Sequence, residues 1–69
     1  MKFEEALQAM REGKKVKRKN YNCCFFLENN QIFVIYQYCF KDKHIEIKEH
    51  FWLDEIMAED WEIIDVAEN

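Results

Sequence analysis

CCFFLENNQIFVIYQYCF, residues 23–40, consists of two apolar runs broken by three consecutive amide side chains. CCFFLE and IFVIYQYCF are rich in aromatic and β-branched residues, which fit a pleated surface, and Asn29 and Asn30 tolerate the positive φ of a tight turn. The stretch therefore reads as an antiparallel hairpin. Side chains alternate along a strand, so Ile32, Val34, Tyr36, Tyr38 and Phe40 point one way while Phe33, Ile35 and Cys39 point the other. Both faces are largely apolar. One face is enough to cover the domain's own core, which leaves the other for a partner or a ligand.

Upstream of the hairpin, Phe3, Ala6, Leu7 and Met10 recur at the spacing of one helix face, with Glu4 and Glu5 in the first turn and Arg11 in the last, as the helix dipole favours. A helix is expected over residues 3–12, stopped by Gly13, the only glycine, with a strand over about Lys15 to Lys19. Downstream, KDKH reads as a turn and IEIKE as a strand with one wet face, with Ile45 and Ile47 expected to face inward. LDEIMAED reads as a short helix. WEIID closes the chain as a strand with Trp61 and Ile63 on one side and Ile64 on the other. The fold class is α+β: an N-terminal helix followed by a small, strongly curved antiparallel β-sheet or partial barrel, with a short helix before the last strand. With no proline and no linker-like tract, residues 1–69 read as one domain.

A chain this short buries only about 60% of the surface that its unfolded form exposes, so an isolated copy has a thin core. Eleven aromatic residues and three cysteines must be accommodated, and two of the cysteines, Cys23 and Cys24, are adjacent. No apolar signal segment and no CxxC pair are present, and His44 and His50 lie far from the cysteines in sequence. The expectation is a reduced, cytoplasmic protein with no membrane span, no metal and no cofactor. Its core is then supplemented by self-association, as a dimer or tetramer.

The charges are unevenly placed. REGKKVKRKNY, residues 11–21, carries six cations against one Glu, whereas from His44 onward nine carboxylates face one lysine, Lys48. On a strand, Lys15, Lys17 and Lys19 share one face, and Val16 and Arg18 the other. The lysines serve equally well as a solvated edge that discourages edge-to-edge pairing. Arg18, leaning toward an apolar side, has the planar fork that grips a phosphate with two bonds. A net charge of −4 argues against nucleic acid as the partner. A small phosphate-bearing ligand fits better: it needs two or three cations and aromatic faces for a base, and Tyr21, Tyr36, Tyr38, Phe51 and Trp52 are available. The chain has no serine or threonine and no Gly-rich phosphate loop, which argues against an enzyme and leaves no candidate catalytic residue.

FEEALQAMREGKKVKRKNYN at the start and LDEIMAEDWEII at the end together resemble the phage Thoeris anti-defence family of small sponge proteins. There an amphipathic helix, a Gly-Lys turn and a basic strand lead into an aromatic-Asn pair, and a short helix followed by Ala-x-Asp-Trp leads into the last strand. The resemblance covers about half the chain. It implies a homo-oligomer in the host bacterial cytoplasm that sequesters, without cleaving, a nucleotide-derived immune signal such as a cyclic ADP-ribose isomer or a cyclic oligonucleotide. Some relatives inhibit a defence nuclease instead, which makes a protein-binding inhibitor the alternative. Tyr21 stands where the family usually has tryptophan, and Asn22 matches. Before the short helix, Glu49, His50, Phe51 and Trp52 replace the family's tryptophan and Thr-Pro-Ser, and Glu55 stands for its aspartate. The candidate ligand-binding residues are therefore Arg18, Lys19, Tyr21, Asn22, Tyr36, Trp52, Asp54 and Glu55, in a pocket placed between subunits.

Overall fold

Helix α1 spans Phe3–Arg11 and turns Ala6, Ala9 and Met10 into the core. Its first turn is fixed by Glu5, whose Oε1 accepts the Lys2 backbone N–H at 2.8 Å, one half of a capping box. At the other end Gly13 takes φ +89°, while its N–H donates to the Met10 carbonyl and that of Lys14 to the Ala9 carbonyl, both at 3.0 Å. This is a Schellman stop, and it needs a residue that adopts the left-handed region without strain. The computed structural model describes residues 1–36 and 44–64. The remaining elements are β1 (Lys15–Arg18), β2 (Cys23–Glu28), β3 (Gln31–Tyr36), β4 (His44–Ile47), α2 (Leu53–Met57) and β5 (Trp61–Ile64).

The five strands form one antiparallel sheet in the order β4-β3-β2-β1-β5, which does not close into a barrel. The hairpin is as expected: Asn29 and Asn30 have φ 55° and 65°, and Phe25 lies opposite Val34. Val16, Phe25, Val34 and Trp61 meet α1 on one face, where Phe3, Phe25, Phe51 and Trp61 form a cluster of tilted and edge-on rings 5.0 to 6.2 Å apart. Such pairs add to what burial alone provides. The expected turn at KDKH and the places of Tyr38, Cys39 and Phe40 fall largely or wholly outside the described residues.

Ile45 and Ile47 correct the sequence reading. The register sets Ile45 opposite Ile35 and Ile47 opposite Phe33, on the face away from α1, and they are 52% and 49% exposed. The alternation is right and its side is reversed. Glu46, opposite Val34, lies on the helix side instead, at the margin of the sheet where the core has already ended. Ile63 lies opposite Val16 but is also exposed, since Trp61 takes the buried place at the start of β5.

Candidate ligand-binding site

Arg18 ends β1 directly opposite Trp61, and Asp60 immediately precedes β5. That register brings the two ends of the chain together. Arg18 Nε and Nη2 both donate to the carboxylate of Asp60, the second at 3.3 Å, while the guanidinium carbon lies 5.0 Å from the Tyr21 ring centre and 5.9 Å from that of Trp61. Each group stabilises the charge of the other. The hydrogen bond from Arg18 holds the Asp60 carboxyl below its usual range, and the same bond raises the arginine. Tyr21 is placed by a turn in which its N–H donates to the Arg18 carbonyl at 3.2 Å.

The opposite wall is α2. Glu55 is its organiser: Oε1 accepts the Trp52 backbone N–H at 2.7 Å, Oε2 accepts Lys48 Nζ at 3.1 Å, and its carbonyl accepts the indole N–H of Trp61 at 3.0 Å. Lys48 itself lies 5.3 Å from the Phe51 ring centre and 5.7 Å from that of Phe25. The end of β1 and the start of α2 thus face each other across a cleft of about 100 Å³.

Five of the candidate residues, Arg18, Tyr21, Trp52, Asp54 and Glu55, line this cleft. Tyr36 does not. It lies half-buried on the helix side of β3 and lines a neighbouring concavity of about 250 Å³ with Lys48, Glu49, His50 and Trp52, so that Trp52 borders both. Lys19 and Asn22 are exposed and line neither; the Lys19 backbone N–H donates to the Asp60 carbonyl at 3.1 Å. Sequence reasoning missed Cys23 and Phe25 as cleft residues, because an apolar strand residue reads first as core. It also missed Asp60 and Lys48. The lone lysine in an acidic half was a signal for an ion pair, but its partner depended on the fold. Burial pushes the Cys23 thiol up, so it is held protonated at neutral pH.

The cleft therefore offers two exposed aromatic walls, Tyr21 and Trp52, acidic groups at Asp54 and Glu55, and one cation, Arg18, already paired to Asp60, while Lys48, paired to Glu55, lines the neighbouring concavity. This suits a planar ring with hydrogen-bonding edges. Among the described residues no group of three or more His, Cys, Asp or Glu side chains is placed to hold a metal ion.

Residues 1–64 match the family model of the Thoeris anti-defense 2-like domain. The chain belongs to this family. No match was found among curated proteins or solved structures. Membership gives the protein a phage anti-defence role. In this Thoeris anti-defense 2-like chain the closing Ala58-Glu59-Asp60-Trp61 run has a concrete place: Asp60 and Trp61 hold Arg18 from the side and from beneath. No described helix is long and apolar enough to cross a membrane.

Proposed function

We propose that the protein acts as a non-catalytic sponge, binding a small nucleotide-derived immune signal and withholding it from a defence effector. The observation that carries this reading is the convergence of Arg18, Tyr21, Trp52 and Asp54 on one cleft in a Thoeris anti-defense 2-like chain. Tyr21 and Trp52 stack on a base, Asp54 accepts from the N–H groups of its edge, and Arg18 meets a phosphate. Glu55, engaged with Lys48 and the Trp52 N–H, supports the wall of the cleft that it lines. At about 100 Å³ the cleft is smaller than the roughly 300–1,000 Å³ that encloses a dinucleotide-sized ligand. A second copy completes it, docking on the exposed residues beside it.

Calorimetry against cyclic dinucleotides, cyclic trinucleotides and cyclic ADP-ribose isomers tests this. At about 100 µM protein, a Kd of order 10⁻⁵ M gives a clear isotherm, and silence across the whole panel rejects the reading. Recovery of unaltered ligand after heat denaturation separates a sponge from an enzyme.

One observation favours a second reading, a protein-binding inhibitor. Leu53 and Met57 of α2 are 69% and 68% exposed. A groove of about 320 Å³ runs from Ile56 and Met57 to Phe3, rimmed by Glu4, Glu59 and Lys2. An apolar surface whose rim carries two carboxylates to one lysine fits a basic partner protein. Pull-down of one stoichiometric host protein, lost as salt is raised, supports this reading, and its absence with a positive nucleotide isotherm excludes it.

A further inference from the structure

Arg18 is the cation best placed for an anion in the cleft, yet the fork that would grip a phosphate is turned on Asp60. Nε and Nη2 form the edge that binds oxyanions side by side, and both donate to Asp60. Nη1 is the one guanidinium nitrogen not committed to that carboxylate. The arginine does not depend on Asp60 for its position. Its side chain is 15% exposed, lies over the Tyr21 and Trp61 rings, and extends from a strand paired along its length with β5. Asp60 is more exposed, at 35%, and its backbone carbonyl is held separately by the Lys19 N–H. The carboxylate is thus the freer member of the pair.

We propose that Asp60 is a specificity-determining residue of this cleft: its carboxylate is a built-in counter-anion that keeps the Arg18 fork closed to simple oxyanions, so that only a ligand adding ring stacking to its charge engages it. The inference rests on the cleft being the ligand site. Its physical basis is competition. A tethered carboxylate faces Arg18 at an effective concentration of order millimolar or higher, which a free anion without other contacts must exceed. Phosphate and sulfate abound in any cell. A ligand that also stacks on Tyr21 and Trp52 gains about 5- to 150-fold in affinity per base, enough to offset the competition. A pair that only tied β1 to the start of β5 would leave Arg18 without its place in the cleft once Asp60 is replaced, and no gain in anion affinity would follow.

The test uses inorganic sulfate at constant ionic strength, followed in NMR spectra by the shifts of the backbone N–H signals of Lys19 and Tyr21, which flank Arg18 and are present in every variant. The wild type is expected to show no saturation at about 10 mM sulfate, and Asp60→Asn to bind it at least tenfold more tightly, the size of one charge-assisted hydrogen-bonded edge set free. The double variant Arg18→Ala, Asp60→Asn is expected to lose that gain. Asp60→Ser, which shortens the side chain, serves as a second folded variant. If a folded Asp60→Asn or Asp60→Ser protein binds sulfate no better than wild type, or if neither variant folds, the pair is structural and the proposal is overturned. Sulfate reports on the Arg18–Asp60 pair alone. A gain in sulfate affinity with no nucleotide bound by either protein therefore defeats the sponge reading and leaves the action of Asp60 on Arg18 standing.

Discussion

Asp60 is held below the usual carboxylate value of 3.8 by its hydrogen bond from Arg18, and that fixes the sign of a pH effect. A carboxyl whose value is lower in the folded chain than in the unfolded one stabilises the fold fully above the unfolded value. That stabilisation is lost as pH falls through the folded value. Melting temperature should therefore drop as pH falls below the usual carboxylate value and through the lower folded one, and Asp60→Asn should flatten that part of the profile; an unchanged acid limb in the variant would show that other carboxyls dominate. Gly13 gives a second prediction of the same scale. An added Cβ would meet nothing within 4 Å, so the cost of Gly13→Ala is that of forcing φ +89° on an L residue, about 1 kcal/mol in urea unfolding. Gly13, Asn29 and Asn30 were legible in the sequence because their conformations follow from their own side chains. The partner of Asp60 was not, because it depends on a register that sets Arg18 opposite Trp61 across most of the chain.

Both helices open with the same device, a glutamate at the third helical position that accepts the N–H of the residue before the helix: Glu5 to Lys2 and Glu55 to Trp52. For α1, nine residues long and packed through Ala6, Ala9 and Met10, the bond is one support among many. For α2 it is central, since five residues lie far below the length at which a helix holds itself in water, and none of them is buried. Glu55→Ala should therefore cost about 1–2 kcal/mol, from the lost cap and the unpaired Lys48. It should weaken nucleotide binding as well, because Trp52 loses its anchor. Glu55→Gln, which keeps an acceptor for the Trp52 N–H, should restore binding more than stability. Equal loss of both in the two variants would mean that the Lys48 pair alone matters. The order of elements was legible from apolar periodicity and from Gly13 and the paired asparagines. The side of the sheet that β4 turns to α1 was not: strict alternation in IEIKE fixes which residues share a face, while the choice of face comes from Val34 and Phe33 across the ladder. Trp52, Tyr21 and Arg18 were legible as chemistry, and their convergence came only with the pairing of β1 and β5.

As a whole molecule the described chain is a sheet with α1 on one face and a row of apolar side chains on the other: Phe26 stacked on Phe33 at 5.4 Å, then Ile35, Ile45 and Ile47. A second apolar surface, Tyr21, Trp52, Leu53 and Met57, surrounds the cleft. The two lie on different sides of the sheet, so they have separate roles in any assembly. Self-association through the outer face would pack sheet on sheet at about 10 Å, burying the isoleucines without touching the cleft. Association through the α2 surface would roof the cleft and enlarge it to the size a nucleotide needs. If both operate, Ile35→Glu and Leu53→Glu should each lower the mass measured by light scattering, but only Leu53→Glu should weaken nucleotide binding. Ligand bound in a roofed cleft stabilises the assembly by RT ln(1 + [L]/Kd), about 2.7 kcal/mol at a hundredfold excess, so the melting temperature of the wild type should rise with protein and ligand concentration together. In Leu53→Glu that coupling should vanish, while in Ile35→Glu it should persist. A Leu53→Glu protein that is monomeric and binds with wild-type affinity would show that one chain holds the ligand alone, with Trp52 and Tyr21 closing over it from their exposed positions.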